Sequence, residues 1–383
     1  PAAEVAGSPG WNDCDGDGFI TFHDFNGPPA DPAHVVCQAD ALALIGDGLG
    51  LPGVIDPFDL IAFFANGDDD DPIPGPAVEH IDDIVGSNAF GAGRSPRCDD
   101  AGIPEIACAD DDLFHGTLMA GLIGALANDR DAVGVAHEVR ILPVRACQAA
   151  GVGSTCNSED VFDAVRYASH FAEVDVIVIS AAGLMATPEA DIPPECAAVV
   201  GVDIRSRAKI EAYTGRDLLQ WVEIATMASD AVIILATPNC PVLIDQPDVY
   251  VWGTSFLGGF ANIVNVTASD RFDIVARALG PRDIDLAAPG VGAGISLLTI
   301  DGGVTVTMVG GSSVAVAHVA GAVALMLSAD PALRGDASAV TRRLFDRADT
   351  EALGGVSASA VRDGRRLNVC RAVTNTLTCP HMP

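Results

Sequence analysis

Lysine is almost absent from this sequence. Lys209 is the only lysine in 383 residues, and the 21 Lys+Arg residues face 52 Asp+Glu residues, which gives a formal net charge of −31 at pH 7. A surface of this charge repels nucleic acid and anionic membranes, and it suits divalent cations or a saline medium. We therefore expect no nucleic-acid partner.

Long apolar segments and closely spaced cysteine pairs are missing as well. The apolar run at residues 322–327 is far shorter than the roughly 20 residues of a membrane-spanning helix, so we expect no membrane insertion. We find no signal peptide, and we expect the chain to begin after processing. The absence of any Cys-x-x-Cys pair disfavours a zinc site.

Ten cysteines are present, and they fall into five local groups. An even number of cysteines within short stretches of chain indicates disulfides and hence an oxidising compartment. We therefore expect a protein that is secreted, extracellular or at the cell surface. Proximity alone suggests the pairs Cys14/Cys37, Cys98/Cys108, Cys147/Cys156, Cys196/Cys240 and Cys370/Cys379, and the sequence leaves other connectivities open.

Two segments carry side chains suited to nucleophilic catalysis. Residues 311–321 read Gly-Ser-Ser-Val-Ala-Val-Ala-His-Val-Ala-Gly, and upstream His115 begins His-Gly-Thr. Ser313 is predicted at a helix start, where free backbone N–H groups and the positive end of the helix dipole favour a developing anion. A serine with a general-base histidine is the minimum needed to attack an acyl carbon. Either segment alone is also explained by small residues, such as Gly116 and Gly121, that let helices pack tightly.

These two segments resemble those of the subtilisin-like serine proteases. Ser313 falls at the nucleophile of that family's Gly-Thr-Ser-Met-Ala-x-Pro-His-Val-Ala-Gly segment, and His115 falls at the base of its His-Gly-Thr-His-Val-Ala-Gly segment. The departures are Ser312 for Thr, Ala317 for Pro, and Leu-Met for His-Val at residues 118–119. Both segments occur in the family's order, about 200 residues apart, which argues against a chance resemblance.

The resemblance continues from about residue 66 to residue 375. Residues 232–239 form an apolar run that ends in Asn239, where the family places its oxyanion-stabilising asparagine, and Pro238 replaces the family's preceding glycine. Residues 174–183 resemble the family's substrate-lining strand. Further matching segments lie at residues 134–144, 280–291 and 365–373.

The fold class follows from the alternation of short apolar runs with helical stretches. Helical patterns at residues 158–171, 218–229 and 313–327 separate apolar runs of four to eight residues. This alternation predicts an α/β fold with a parallel central sheet and helices on both faces, as the subtilisin-like resemblance also implies. We expect the peptidase domain over residues 71–383 and a small module of a different kind over residues 1–70.

The N-terminal module contains a calcium-loop pattern at residues 13–24, Asp-Cys-Asp-Gly-Asp-Gly-Phe-Ile-Thr-Phe-His-Asp. Oxygen ligands at alternating positions suit a hard, seven-coordinate cation, and Gly18 falls at the sharp turn of the loop. The pattern predicts an EF-hand Ca²⁺ site, similar to dockerin-type loops in its final aspartate; an acidic turn without metal is the alternative. The expected ligands are Asp13, Asp15, Asp17, Phe19 through its carbonyl, Thr21 and Asp24.

A second copy of the calcium-loop pattern follows at residues 48–59. It has Gly48, Gly50 and Pro52 where carboxylates belong, although it keeps Asp56 and Asp59. Since too few oxygen ligands are left for a Ca²⁺ ion, we expect this copy to bind no metal.

The third member of the family's catalytic triad is not evident. The resemblance implies an aspartate at the end of an early apolar strand, in an Asp-Thr-Gly or Asp-Ser-Gly context, and neither tripeptide occurs. Three interpretations are open: the aspartate lies on an upstream fragment of the same precursor, Asp82 or Asp83 replaces it, or it is absent. The acidic loop at residues 110–112 adjoins His115 in sequence and is a further source of a carboxylate.

Two functions are consistent with these residues. The first is a secreted serine endopeptidase that hydrolyses a peptide or protein substrate through an acyl-enzyme on Ser313, with His115 as base and Asn239 at the oxyanion. The second is a scaffold of the same fold used for binding or assembly, which Pro238, the changes around Ser313 and the missing aspartate favour. A third hypothesis is that the calcium module docks the chain to a partner.

The calcium assignment predicts that removal of Ca²⁺ loosens the N-terminal module, because four converging carboxylates repel one another strongly without a cation. We expect added Ca²⁺ to raise the melting temperature and to protect residues 10–30 from proteolytic nicking. The measurement is a calcium titration followed by thermal unfolding and limited proteolysis. Unchanged melting and unchanged nicking would contradict the assignment.

Overall fold

The computed structural model describes residues 87–88, 115–125, 127, 133–150, 153–194, 196, 202–246, 248–252, 260–291, 295–298, 304–307, 310–354 and 357–379. The predicted module over residues 1–70, with its calcium loops, lies outside these residues. The same holds for Asp82, Asp83 and the acidic loop at 110–112.

Helices and strands alternate along much of the described chain. The helices are α1 (His115–Gly124), α2 (Ser158–His170), α3 (Arg207–Met227), α4 (Ser312–Ala329), α5 (Ala337–Asp346) and α6 (Val369–Thr374), with short 3₁₀ turns at Pro331–Leu333 and Arg362–Gly364. The strands are β1 (Ser87–Asn88), β2 (Val144–Arg145), β3 (Cys147–Ala150), β4 (Gly153–Cys156), β5 (Val176–Ile179), β6 (Leu184–Ala186), β7 (Asp203–Ile204), β8 (Val232–Ala236), β9 (Val249–Val251), β10 (Ile263–Asp270), β11 (Leu286–Val291), β12 (Ile295–Leu298) and β13 (Val304–Thr307).

The chain divides into two compact units, residues 1–112 with 142–164, and residues 113–141 with 165–383. In the first unit, β1 pairs in parallel with β2, and β3 and β4 form an antiparallel hairpin. Cys147 lies opposite Cys156 in this hairpin, and the two form a disulfide.

The second unit is built on a parallel sheet with strand order β11-β10-β8-β5. Ile233 of β8 lies opposite Ile177 of β5 on one side and Ile263 of β10 on the other. Every residue of β8 is buried. Continuously buried apolar strands are typical of a parallel sheet covered by helices. The α/β fold with a parallel central sheet is therefore confirmed.

Side chains of the central sheet and of α4 form the main core of the second unit. Ile234 of β8 and Val264 of β10 belong to one buried cluster with Val316 and Val319 of α4. A separate contact fastens α3 to the sheet, because Asn262 Nδ2 donates hydrogen bonds to two backbone carbonyls near the end of α3, at 3.0 and 2.9 Å. The sheet is thereby fixed to both helices.

The core helix α4 has the length and composition of a membrane span. It is the one helix in the described residues that is long and apolar enough to cross a membrane, so the apolar segment is longer than residues 322–327, on which the sequence prediction rests. Most of α4 is buried inside the fold, where its apolar residues pack against β8, β10 and β11. Its apolar composition follows from this place in the core.

Tight packing of α4 depends on Gly321. A Cβ added at Gly321 would lie 2.5 Å from Cβ of Val135, whereas a Cβ at Gly121 of α1 would meet no atom of the described residues within 4 Å. Among the described residues the close approach therefore occurs at Gly321, and tight packing at Gly121 stays a prediction. Helix α1 still contacts α4, through Met119 against Val314.

Two further disulfides lie in the second unit, Cys196–Cys240 and Cys370–Cys379. Together with Cys147–Cys156, they confirm three of the pairs that proximity suggested. The pairs Cys14/Cys37 and Cys98/Cys108 lie outside the described residues.

Two carboxylates, Asp245 and Asp283, form a hydrogen-bonded pair near the end of the 240–245 segment. Burial, and then repulsion from Asp245, raise the pKa of Asp283 to about 6 from an ordinary value of 3.8. The positive charge of the Arg282 guanidinium opposes this rise, and the same residue contacts Asp245, because its backbone N–H donates to Asp245 Oδ2 at 3.2 Å. Folding therefore favours the protonated form of Asp283.

The raised pKa of Asp283 predicts a specific loss of stability as the pH rises from about 4 to above 6. Its contribution to folding is fully present below about pH 4 and is lost as the pH rises through about 6, because the folded-state pKa exceeds the unfolded one. In Asp283→Asn, which cannot ionise, we expect the free energy of unfolding to fall less over this window. Urea denaturation from pH 4 to 8 measures it, with the exposed Asp230→Asn as a control that keeps the wild-type profile. Equal slopes in both variants would contradict the assignment.

Candidate functional site

The carboxyl ends of two neighbouring strands position the first part of the site. Ile179, the last residue of β5, lies opposite Leu235 of β8 in the parallel register. The segments that follow, residues 180–183 and 237–240, therefore leave the sheet side by side. In open parallel sheets, ligands bind in the crevice beyond the carboxyl ends of the strands.

Ser313 lies in the first turn of α4, at the helix start that the sequence predicts. It is 7% exposed, and its hydroxyl donates to the backbone carbonyl of Ser180 at 3.2 Å. The first backbone N–H groups of a helix have no acceptor within the helix, and the positive end of its dipole lies there. Ser313 therefore adjoins the 180–183 segment at a point that stabilises an anion.

Asn239 lies against the start of the same helix. Its Oδ1 accepts a hydrogen bond from the Ser312 backbone N–H at 2.7 Å and lies 3.0 Å from Ser312 Oγ. Because the carbonyl end of the carboxamide is engaged in this way, its Nδ2 end, which carries two donors, points elsewhere. Although Pro238 stands where the family has a glycine, Asn239 still lies at the start of α4.

Ser312 and Gly311 hold this contact, and sequence reasoning missed both. The Ser312 hydroxyl also donates to the backbone carbonyl of Thr237, just beyond β8. A Cβ at Gly311 would lie 2.7 Å from Asn239 Oδ1, so any larger residue would push the carboxamide away. Ser312 was noted only as a departure from threonine; the hydroxyl that serine and threonine share was the available signal.

His115 is the first residue of α1 and is partly exposed. Met119, one turn later on the same helix face, belongs to a buried cluster with Val314 and Ala317 of α4. Val314 directly follows Ser313. The packing of α1 on α4 therefore brings the N-terminal ends of the two helices, with His115 and Ser313, to the same part of the unit.

A second histidine, His318, lies one turn into α4. Its Nδ1 is 2.9 Å from the backbone carbonyl of Val314 in the same helix. This ring is therefore tied to its own helix.

The other predicted site residues fall outside the described residues: Asp82 and the calcium ligands Asp13, Asp15, Asp17, Phe19, Thr21 and Asp24. Within the described part of the chain, no three His, Cys, Asp or Glu side chains are grouped in a way that could hold a metal ion. The roles of these residues remain predictions from the sequence.

The described groups fit one reaction class. A hydroxyl at a helix start, an imidazole at the end of the neighbouring helix and a carboxamide donor are the parts of an acyl-transfer site. Here they come from α4, α1 and the segment after β8.

Sequence comparison leads to the same class of protein. A model of the subtilase family matches residues 104–360, about two thirds of the chain. An intracellular serine protease from Paenibacillus polymyxa is 30% identical over 236 residues, which cover 61% of this chain and 59% of that protein. The chain thus aligns with less than two thirds of the length of that relative.

Solved structures support the fold. The epidermin leader peptide processing serine protease of Staphylococcus aureus has a TM-score of 0.55 at 16% identity, over 76% of this chain and 70% of that one. MycP1 with its N-terminal propeptide removed has a TM-score of 0.50 at 19% identity, over 72% of this chain and 82% of that one. These identities bear on the fold alone, whereas the family match extends over most of the chain. This chain belongs to the subtilase family.

Proposed function

We propose that this chain is a serine endopeptidase that cleaves peptide bonds by acyl transfer through Ser313. The observation that carries the proposal is the Asn239 carboxamide held at the start of α4, directly beside the serine. Membership of the subtilase family supports the same reaction, because Ser313, His115 and Asn239 fall in segments that resemble those of the family's nucleophile, base and oxyanion donor.

In the first half-reaction, His115 removes the proton from Ser313 Oγ as this oxygen attacks the carbonyl carbon of the scissile bond. The carbonyl oxygen becomes an oxyanion, to which Asn239 Nδ2–H and the Ser313 backbone N–H donate. Protonated His115 then gives its proton to the leaving amine as the C–N bond breaks. Water repeats the sequence on the acyl-enzyme and releases the acid.

The resting position of the Ser313 hydroxyl is consistent with this role. Its hydrogen bond to the Ser180 carbonyl, at 3.2 Å, is long for an O–H···O bond, which ordinarily measures about 2.7–2.8 Å. Because little energy holds the proton there, the hydroxyl can turn to donate to His115 when a substrate binds. Catalytic hydrogen bonds commonly tighten only in the complex with substrate.

The substrate would lie along the 180–183 segment. Residues 181–183 are Ala-Ala-Gly, so no large side chain of this segment fills the crevice. The Gly183 carbonyl accepts a hydrogen bond from the Trp252 backbone N–H at 3.0 Å, which fixes the far end of the segment. These features favour peptide or protein substrates over compact small molecules.

The proposal also includes the location of the enzyme, outside the cytosol. Disulfides favour secretion or a place at the cell surface, because the cytosol keeps cysteines reduced. This differs from the relative in Paenibacillus polymyxa, which is named an intracellular protease. The predicted Ca²⁺ at residues 13–24 and an upstream fragment of the same precursor complete the proposed assembly.

The proposal predicts that a fluorophosphonate probe labels the chain at Ser313. We expect Ser313→Ala to abolish labelling, because the probe reacts with an activated serine oxygen. The matched control is Ser229→Ala, which removes an exposed hydroxyl that donates to the neighbouring Asp230, and it should label like the wild type. The measurement is in-gel fluorescence of the purified proteins. Labelling of the Ser313→Ala variant would contradict the proposal. Absence of labelling in the wild type would favour the scaffold hypothesis.

The sequence contains no aspartate in the family's Asp-Thr-Gly or Asp-Ser-Gly context that would orient His115, so we expect weak peptide hydrolysis by this chain alone. Asp82→Asn, Asp83→Asn and asparagine substitutions at residues 110–112 should each change kcat little. Loss of a triad carboxylate costs about 10⁴-fold, because the histidine takes the wrong tautomer. A drop of about a thousandfold or more in one variant would therefore refute the expectation and identify the partner of His115.

A further inference from the structure

Cys240, which forms a disulfide with Cys196, directly follows Asn239, the proposed oxyanion donor, in the chain. Both cysteines are buried, at 0% and 1% exposure, and their Cα atoms lie 5.2 Å apart. This disulfide spans 44 residues of sequence, whereas Cys147–Cys156 and Cys370–Cys379 each span nine. It therefore joins two distant segments rather than closing a local loop.

The far end of the disulfide is anchored in packed structure. Cys196 and Cys240 belong to one buried cluster with Leu184 of β6 and Val249 and Val251 of β9. Strands β6 and β9 pair with each other in a small sheet that includes β7 and is separate from the central parallel sheet. The disulfide thus fixes Cys240 to a second layer of the unit.

Asn239 lies in a short link between two fixed points. The Thr237 N–H donates to the Val266 carbonyl at 3.1 Å, which continues the pairing of β8 with β10. Pro238 has no N–H to donate, and at Cys240 the chain is held by the disulfide. The backbone of Asn239 is therefore fixed on one side by the sheet and on the other by the covalent bond.

We propose that the Cys196–Cys240 disulfide is a positioning element for Asn239, one that keeps its Nδ2 donor aimed at the oxyanion. This inference rests on the proposed protease function. The Ser312 N–H holds only the Oδ1 end of the carboxamide, so the direction of Nδ2 also depends on where the Asn239 backbone lies. The disulfide determines that position through the adjacent residue.

The effect expected on kcat and KM depends on the stage of the reaction at which the oxyanion forms. Negative charge on the carbonyl oxygen develops in the transition state and not in the bound substrate, so misplacing its donor lowers kcat and leaves KM nearly unchanged. Complete loss of one oxyanion donor costs about 10²–10³-fold in kcat. Because the disulfide acts through that donor, its removal should cost less, about 10–100-fold.

The test compares the full chain with Cys196→Ala/Cys240→Ala in peptide hydrolysis. Rates are normalised to Ser313 sites titrated with a fluorophosphonate, so that unfolded molecules do not count. A second variant, Cys196→Val/Cys240→Ala, removes the same bond but keeps apolar volume in the cluster. We expect kcat to fall about 10–100-fold in both variants, with KM within about twofold of the wild type. Cys370→Ala/Cys379→Ala, which removes the short C-terminal disulfide, should keep the wild-type kcat.

A double-mutant cycle separates positioning from general stability. In an Asn239→Ala background the donor is already gone, so removal of Cys196–Cys240 should lower kcat no further. An equal loss in both backgrounds, or a wild-type kcat without the disulfide, would overturn the inference. If the wild type neither hydrolyses peptide nor reacts with the probe, the proposed function itself fails. If the wild type is active and Asn239→Ala is impaired while both cysteine variants are normal, only this inference fails.

Discussion

The contact between the Asn239 carboxamide and the first amide of α4 is the constraint on which the site depends. It joins two points that are 73 residues apart in sequence, the chain beyond β8 and the start of the core helix. A third element, the strand β11, meets them there, because the Gly311 N–H donates to the Gly290 carbonyl at 2.7 Å. Since α4 is packed along its length on the sheet, its first turn has a fixed place to which loop residues must fit.

Much of the fold and part of the site could be predicted from the sequence. Apolar runs alternating with helical patterns gave the parallel sheet, because buried parallel strands need no polar face. The prediction of Ser313 at a helix start rests on local sequence around one residue, and the role predicted for Asn239 rests on the resemblance of residues 232–239 to a subtilase segment. Local patterns of this kind can be predicted from the sequence because they do not depend on tertiary contacts.

What the sequence could not predict were pairwise distances across the fold. The role of Ser312 depends on how close Thr237 and Asn239 come, and the value of Gly321 depends on Val135 opposite it. Gly121 is also followed and preceded by apolar residues in the sequence, yet a Cβ there would meet no atom of the described residues. Likewise, only the strands that bury α4 show that its apolar composition reflects its place in the core.

The long disulfide also makes a covalent ring of residues 196–240, and this ring contains α3 and β8. When a protease cleaves an exposed loop of a protein, a fragment is normally released. The protease can be another copy of the same protein. A cut at any peptide bond within this ring would leave both pieces joined through the sulfur atoms. The strand that leads to the oxyanion asparagine would remain attached to its neighbours, and a nicked molecule could reassemble without searching for its missing part.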